Sequence, residues 1–194
     1  MTKDDIVVVP EPNLRKRSKK VGLITDEIKQ IIADMRAATI DWENSREHEA
    51  SVGLAAVQVN TMLRIFIVRN DTENIENKDF TVFINPEIVK KIGPVEEDYE
   101  GCLSVPDIYG RVKRHKTVKV KALNEDGKPF RVTAHDFLAR ILQHETDHTN
   151  GLLFIDHIKD DSTAFFKMNS EGKIEPVDFD TDIKDNSLLW SIDA

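Results

Sequence analysis

The feature that most constrains this chain is the stretch of residues 143–148, Gln-His-Glu-Thr-Asp-His, which contains the pattern H-E-x-x-H. Residues four apart lie on one face of an α-helix, so the imidazoles of His144 and His148 can reach the same metal ion. Neutral imidazole is the commonest protein metal ligand, and Glu145 would stand beside the ion, where it can move protons. The alternative is a helix whose histidines are only exposed or hydrogen-bonded.

The surrounding residues predict the helix that this pattern requires. Four side chains recur at helical spacing and form one stripe: Phe137, Ile141, His144 and His148. Thr133 and Asp136 resemble a weak capping box at the start of the helix. Gly151 follows soon after the last histidine, where a glycine commonly ends a helix.

The composition is that of an ordinary globular protein, since 40% of the 194 residues are hydrophobic and 32% are charged. No apolar run approaches the length of a membrane helix, and the first residues lack the apolar core of a signal peptide. We therefore expect no membrane span and a cytoplasmic location. The net charge of −8 disfavours binding to nucleic acid through bulk charge. We expect no direct nucleic-acid contact and a monomeric state.

The first half of the chain predicts an irregular arm followed by an amphipathic helix. The arm, residues 1–24, carries a basic cluster at Arg15, Lys16, Arg17, Lys19 and Lys20. A solvated approach to the first helix explains this cluster better than a polyanion site. Thr25 is a good helix N-cap, and apolar residues continue at helical spacing to Trp42 before the polar run 43–49.

Segments with strand character follow, at residues 63–68, 80–84, 116–123 and 128–133. Asn85-Pro86 is expected to end the second strand, and Gly93-Pro94 to break the extended segment after it. Residues 124–127 predict a hairpin turn between the last two strands. This order of elements predicts an α+β fold, with short antiparallel β-sheets packed around the C-terminal H-E-x-x-H helix.

The last 36 residues differ in character, so we divide the chain into a catalytic domain, 1–158, and an acidic extension, 159–194. The extension holds nine acidic residues and four lysines, but also more apolar residues than a disordered tail would. Residues 164–177 predict a small hairpin. We expect it to pack on the body in preference to docking a partner.

Two histidines do not complete a catalytic metal site, which usually has three protein ligands and a water. Cys102, the single cysteine, is the strongest candidate for the third because a thiolate binds zinc or ferrous iron well. Asp147 precedes His148 by one residue and therefore points elsewhere. The other histidines, at positions 48, 115, 135 and 157, are better explained as surface or hydrogen-bonded residues.

Three blocks now stand in order: residues 52–58 (Val-Gly-Leu-Ala-Ala-Val-Gln), 100–104 (Glu-Gly-Cys-Leu-Ser) and 143–148. Together they resemble the peptide deformylase family. Flanking segments at 9–15, 84–88, 110–114 and 151–156 look like family segments too, so the resemblance covers about residues 9–158. H-E-x-x-H alone occurs in many metallopeptidases, whereas three ordered blocks are highly specific.

The resemblance implies an enzyme that removes the N-formyl group from the N-terminal methionine of newly synthesised proteins and releases formate. It implies that Cys102, His144 and His148 bind one divalent ion, with Fe²⁺ favoured and Zn²⁺ or Ni²⁺ possible. Glu145 would act as general base and then acid. Gln58, through its side-chain amide, and Leu103, through its backbone N–H, would stabilise the oxyanion. The partners would be N-formylmethionyl nascent polypeptides, which place the enzyme near the ribosome.

Further residues are candidates for substrate binding. The substrate backbone is expected to pair with an exposed edge near Val52 and Gly101. The small Gly53 gives a tight site that admits a formyl group. Phe137 and Ile141 are candidate walls of the methionine pocket, although both could equally be core residues.

The family glutamate of the Glu-Gly-Cys-Leu-Ser block pairs with an arginine, which Arg114 matches. We therefore predict a Glu100–Arg114 pair that holds the strand of Cys102. Four residues depart from the family pattern: Ser51, Val57, Thr149 and His157. Ser51 would be strained if its backbone required a positive φ.

Two other functions remain open at this point. A zincin-type metallopeptidase would take its third ligand downstream of H-E-x-x-H and could ignore Cys102. A non-catalytic binding protein could keep the fold, but such decay usually removes the proton carrier or a ligand first, and all of them are present here.

Overall fold

The structure is a computed structural model that describes residues 1–46, 50–72, 74, 76–169 and 171–190. Predictions that involve His48, Glu49, Ser170, Ile192 and Asp193 lie outside these residues. Within them, no helix combines the length and the apolar character needed to cross a lipid bilayer.

Among the residues that the structure describes, three α-helices and seven strands make up the fold. The helices are α1 (Asp26–Asn44), α2 (Asp136–Thr149) and α3 (Ser187–Trp190). The strands are β1 (Gly53–Ala55), β2 (Ile65–Arg69), β3 (Phe80–Cys102), β4 (Val105–Leu123), β5 (Pro129–His135), β6 (Phe165–Met168) and β7 (Ile174–Pro176). Short 3₁₀ turns lie at Lys3–Asp5, Pro12–Arg15, Ala56–Val59 and Phe154–His157, and a single π-helical turn at Phe179–Ile183.

The strands form one antiparallel sheet in the order β1-β2-β3-β4-β6-β7, and β5 pairs with β4 beside this path. One core packs α1 against β1, β2 and the start of β3, with Ile32, Met35 and Ile67 fully buried in it. A second core packs α2 against β2, β4 and β5, around Phe66 and Leu142. The α+β fold class is confirmed, and α2 is packed in the middle of the molecule.

Helix α1 begins where the sequence predicts. The hydroxyl of Thr25 accepts a hydrogen bond from the backbone N–H of Ile28 at 3.5 Å, and Asp26 and Glu27 occupy the first turn. Negative charges at this end favour the helix because they face its unpaired N–H groups. The helix ends at Asn44, early in the predicted polar run.

Strand β3 corrects the sequence prediction. It runs through both Asn85-Pro86 and Gly93-Pro94, which were expected to end or break strands. The pairing with β4 shifts between Ile84 and Glu87 and again between Ile92 and Val95. A proline has no N–H to give to a ladder, and a bulge at each proline lets the strand continue beyond it. One strand therefore leads from the first core to Cys102, and β4 is longer than predicted because it pairs along nearly all of it.

The start of α2 also differs from the prediction. Thr133 lies in β5, the N-cap position is His135, and no side chain caps the helix there. The prediction of a capping box was therefore wrong, because strand pairing of β5 with β4 continues to His135. The predicted end is confirmed: Gly151 has φ +78°, and its N–H donates to the carbonyl of His148 at 3.1 Å.

The N-terminal arm is held against the body. The backbone N–H of Ser18 donates to Thr149 at 3.0 Å, and Arg15 forms an ion pair with Asp156. The side chains of the other four residues in the basic cluster are exposed, as expected, but Arg15 is partly buried. The expectation of a wholly solvated cluster was wrong for Arg15 because its guanidinium faces a carboxylate on the 3₁₀ turn after α2.

Strands β6 and β7 form an antiparallel hairpin within the segment for which one was predicted. Strand β6 pairs with β4 at Tyr109 and Gly110. A third core joins this region to the arm and the 3₁₀ turn after α2, with Leu14, Phe154 and Phe165 buried in it. The division of the chain at residue 158 stays a prediction.

Candidate metal centre and active site

Three potential metal ligands come together where the end of β3 meets α2. The Sγ of Cys102 lies 3.3 Å from the Nε2 of His148, and that atom lies 3.2 Å from the Nε2 of His144. The three ligand atoms all lie within 4.8 Å of one another. The helix supplies two of them because residues four apart share a face, and the long strand β3 brings the third.

These separations suit a tetrahedral metal ion. An ion held at about 2.0–2.1 Å by nitrogen and 2.3 Å by sulfur needs N–N and S–N separations of about 3.3 and 3.6 Å. The observed values, 3.2 and 3.3 Å, differ from these by only a few tenths of an ångström. Two imidazoles and a thiolate form a donor set that suits zinc or ferrous iron.

The charge of the cluster also suits a cation. Burial and the neighbouring His144 lower the pKa of His148, which keeps its imidazole neutral and able to donate an electron pair. Burial acts the same way on His144, but hydrogen bonds with Cys102 and Glu100 outweigh it and raise the pKa. Positive charge is therefore favoured between the sulfur and the carboxylate.

Glu145 is buried beside this cluster, and its side chain lies against β1. Burial raises the pKa of its carboxyl to about 7. Within the described part of the chain, its Oε2 has no hydrogen-bond partner. A Cβ on Gly53 would lie 2.7 Å from Oε1, so only glycine leaves room for this carboxyl. An unpartnered buried carboxyl of this kind is suited to exchanging a proton with a ligand.

Gln58 is fixed with its amide nitrogen towards the cysteine. Its Oε1 accepts from the N–H of Ala55 at 2.8 Å. Its Nε2 lies 3.2 Å from the hydroxyl of Ser104 and 3.6 Å from the Sγ of Cys102. Leu103, between these last two residues, is partly buried against the first core and lines the same cavity.

A buried carboxylate stands behind the metal cluster. Glu100 accepts from the Nε and Nη2 of Arg114 at 2.9 and 3.0 Å and contacts the Nδ1 of His144 at 2.9 Å. Burial alone would raise the pKa of Glu100, but hydrogen bonds from His144 and Arg114 hold it well below its usual range. The predicted Glu100–Arg114 pair is present. Arg140, which the sequence did not single out, also donates to Glu100 at 2.8 Å.

The sequence did not indicate a second buried carboxylate near the cavity. Glu43, on α1, accepts from Arg69 at 2.6 Å and from the backbone N–H of Ser51 at 3.0 Å. Arg69 in turn donates to the carbonyl of Ser51 at 3.2 Å. Both backbone groups of Ser51 are thus bonded to one ion pair, immediately before Val52 and β1. No local pattern indicates this pair, because 26 residues separate its members.

Cys102 and His144 of this cluster line a cavity of about 350 Å³. All five residues predicted to bind substrate line it: Val52, Gly53, Gly101, Phe137 and Ile141. Phe137 is 49% exposed and is therefore a wall residue, whereas Ile141 is buried. Two residues of the C-terminal hairpin, Met168 and Ile174, also line the cavity, and no sequence signal indicated them.

The four departures from the family pattern are all accommodated. Ser51 is not among the residues with positive φ, so the strain considered for it does not arise. Val57 is buried in the second core. The hydroxyl of Thr149 donates to the carbonyl of Thr146 at 2.8 Å. His157 lies 2.7 Å from the Oδ2 of Asp147, which also accepts from Arg114.

The remaining candidates lie away from the cluster. Asp147 points to Arg114 and His157, which confirms that it faces away from the metal ligands. His135 contacts the hydroxyl of Thr117 at 3.1 Å, and the backbone N–H of His115 donates to Gln143 at 3.2 Å. The ligand group found among the described residues therefore comprises Cys102 and the two histidines of H-E-x-x-H.

Comparisons with known proteins agree with this geometry. The peptide deformylase of Dehalococcoides mccartyi strain CBDB1 is 42% identical over 154 residues, which cover 79% of this chain and 85% of the relative. That of Thermomicrobium roseum is 39% identical over 169 residues, covering 86% and 92% of the two chains.

Solved structures give the same result for the fold. A peptide deformylase from Legionella pneumophila superposes with a TM-score of 0.70 at 41% identity, over 78% of this chain and 83% of the other. One from Synechococcus elongatus in complex with actinonin gives 0.69 at 36% identity, over 78% and 76%. The family profile described as polypeptide deformylase matches residues 3–164. This chain therefore belongs to the polypeptide deformylase family.

Proposed function

We propose that this protein removes the N-formyl group from the N-terminal methionine of newly synthesised proteins and releases formate. One divalent ion would be held by Cys102, His144 and His148, with Fe²⁺ favoured and Zn²⁺ or Ni²⁺ as alternatives. The observation that carries the proposal is the sulfur–nitrogen–nitrogen cluster, of which Cys102 and His144 line one cavity together with the buried Glu145. When bound, such an ion supplies Lewis acidity and lowers the pKa of water.

Glu145 is the proton carrier in this proposal. Its Oε2 accepts the proton of the attacking water and returns it to the amine nitrogen that leaves with the methionine. A pKa raised to about 7 by burial suits both transfers near neutral pH. The absence of a hydrogen-bond partner for Oε2 among the described residues leaves this atom available for both transfers.

Gln58 and Leu103 stabilise the negative charge that grows on the formyl oxygen. The Oε1 of Gln58 is held by the N–H of Ala55, so its Nε2 is directed towards the metal cluster before the substrate arrives. A donor that needs no reorientation stabilises the transition state by roughly 3 kcal/mol. The backbone N–H of Leu103, next to the cysteine ligand, is the second donor.

The cavity selects the formyl-methionine end of the peptide. β1 is the first strand in the order of the described sheet, so the substrate backbone can pair at that edge beside Val52 and opposite Gly101. Gly53 lets strand β1 lie close to the carboxyl of Glu145, and this leaves little room for an acyl group larger than formyl. Phe137 and Ile141 supply the apolar surface for the methionine side chain.

Formate release tests the proposal. Protein loaded anaerobically with Fe²⁺ should release formate from formyl-methionyl peptides, and Glu145→Gln should lower kcat about 10²–10⁴-fold while metal content stays unchanged. Cys102→Ala should lose the metal. Retained metal with peptide-bond cleavage in Cys102→Ala would instead favour a metallopeptidase, and no formate at any metal loading would exclude the deformylase.

The choice of metal and the setting are part of the same proposal. A ferrous–thiolate site is oxidised in air, so the iron form should lose activity on exposure while the nickel form keeps more of it. Equal specific activity of the two preparations would argue against iron. Nascent-chain substrates place the protein near the ribosome in the cytoplasm, and a monomer suffices because the described residues of one chain supply the whole cluster.

A further inference from the structure

The C-terminal hairpin β6–β7 lines the active-site cavity although it lies beyond the segment that the family profile matches. That segment ends at residue 164, whereas β6 begins at Phe165. Met168 and Ile174 face each other across the hairpin. Both line the cavity that holds Cys102 and Glu145. The hairpin therefore contributes to the cleft with residues that the family pattern does not include.

The hairpin is anchored on the body. Beyond its pairing with β4, the backbone N–H of Arg111 donates to Ala164 at 2.9 Å. Phe165 is buried, and its ring lies 5.7 Å from the ring of Phe179 and 6.4 Å from that of Trp190. These contacts fix the strand from the core side, so the opposite side has a defined position over the cleft.

That opposite side is apolar. Side chains alternate along a strand, so Phe166 and Met168 share the face that Phe165 does not use. The ring of Phe166 contacts Tyr99 edge-on at 5.0 Å, and Tyr99 also lines the cavity. Ile174 remains 36% exposed beside them. Lys167 and Glu175 pair across the hairpin and alternate with these residues, so they lie on the same side as Phe165. Both are exposed, and we call this part of that side the charged face.

The apolar face lies within reach of an extended substrate. Tyr99 precedes Cys102 by three residues on β3, and strands rise about 3.3 Å per residue, so Tyr99 lies about 10 Å from the metal cluster along the strand. An extended peptide whose formyl group is at the cluster spans this distance with its second and third residues, and Tyr99, Met168 and Ile174 line the same cavity.

We propose that the hairpin β6–β7 selects the substrate: Met168 and Ile174, with Tyr99, contact the second and third residues of the formyl-peptide and favour apolar side chains there. This inference rests on the proposed deformylase function. A charged side chain in the same place would lose water without gaining an opposite charge from these three residues. The flexible thioether of Met168 lets the wall adapt to apolar side chains of different shape.

The test compares two substrates in three proteins. The peptides are formyl-Met-Leu-Phe-amide and formyl-Met-Ser-Ser-amide. The proteins are the wild type, the double variant Met168→Ser/Ile174→Ser, and the matched control Lys167→Ser/Glu175→Ser on the charged face of the same hairpin. We expect wild type to prefer the apolar peptide about tenfold in kcat/KM, mainly through KM. The first variant should reduce this preference to about twofold, and the control should retain it.

A second readout separates this inference from the proposed function. Calorimetric binding of the product Met-Leu-Phe-amide to the metal-loaded protein should weaken in Met168→Ser/Ile174→Ser and not in the control. If no formate is released but this difference is seen, the deformylase function fails and the hairpin's role stands. An unchanged substrate preference with unchanged binding, or equal losses in the control, would overturn the inference.

Discussion

Two buried glutamates, Glu100 and Glu43, differ in the groups that they bind: Glu100 lines the cleft, whereas Glu43 lies on α1 and binds the backbone of Ser51, which also lines it. Glu100 is bonded to two arginines and to the imidazole of His144, a proposed metal ligand. Glu43 is bonded to Arg69, to Lys78 and to the backbone N–H of Ser51. The first carboxylate acts on the side chain of a proposed metal ligand, and the second acts on the backbone that leads to β1.

The two carboxylates meet two different requirements of the site. A ligand imidazole needs an acceptor that fixes its ring and increases its basicity, which Glu100 supplies. A wall that pairs with a peptide backbone needs only to be held in place, and an ion pair bonded to both the N–H and the carbonyl of Ser51 does this. Loss of Glu100 should therefore affect the metal, whereas loss of Glu43 should affect the substrate.

The largest effect is expected for Glu100→Gln. Neutralising this group leaves Arg140 without its buried counter-charge and leaves Arg114 with Asp147 alone, which should lower the free energy of unfolding by about 3–5 kcal/mol. Metal affinity should fall about 10–100-fold because His144 loses a charged acceptor. Chemical denaturation and metal titration measure the two effects. Wild-type metal affinity in the variant would show that the carboxylate serves only the arginines.

The next effect concerns the close approach of Gly53 on β1 to Glu145 on α2. Gly53→Ala places a methyl group 2.7 Å from the Oε1 of Glu145, so the buried carboxyl must move. A displacement of about 1 Å at a reacting group lowers the rate by roughly 10²-fold, which we expect in kcat. Metal content should not change. Wild-type kcat in this variant would mean that the position of Glu145 is not set by β1.

A smaller effect is expected for Glu43→Gln. Arg69 keeps its bonds to the carbonyls of Ser51 and Asn77, so the loss is that of charge-assisted hydrogen bonds, about 2 kcal/mol of unfolding free energy. KM for formyl-peptides should rise several-fold while metal affinity stays at the wild-type value. Steady-state kinetics and metal titration on the same preparation separate these quantities, and a fall in metal affinity would remove the contrast with Glu100.

The smallest effect is expected for Lys78→Ala. Its Nζ lies 3.2 Å from the Oε2 of Glu43, but its side chain is 36% exposed, and exposed ion pairs contribute less than about 1 kcal/mol. Stability and KM should both remain close to wild type. A loss as large as that of Glu43→Gln would show that Glu43 depends on the lysine as much as on Arg69.

The features that the sequence predicted correctly are those that depend on short segments of the chain. The H-E-x-x-H helix, its glycine end and the N-cap Thr25 each follow from neighbouring residues. Cys102 is 42 residues from His144, and the cysteine followed from donor chemistry together with the family resemblance. Its predicted role, like those of Gln58 and Leu103, stays a prediction.

The features that the sequence did not predict depend on pairing between residues that are far apart in the chain. Asn85-Pro86 looked like a strand end because proline cannot donate, and only the partner strand β4 reveals that a bulge absorbs it. The Glu43–Arg69 pair has no repeating pattern. Met168 and Ile174 reach the cleft only because β6 adds to the edge of β4, and nothing in their own neighbourhood indicates that edge.

The contacts that hold the N-terminal arm have a consequence for the order in which the chain folds during synthesis. Val21 exchanges two hydrogen bonds of 2.8 Å with the side chain of Asn85, 64 residues later, and Arg15 binds Asp156, 141 residues later. During synthesis at roughly 5–20 residues per second, the arm leaves the ribosome many seconds before Asp156 does. Arg15 thus waits for its partner long after Val21 can have met Asn85, and a chain stalled before Asp156 would leave this part of the arm exposed to proteolysis.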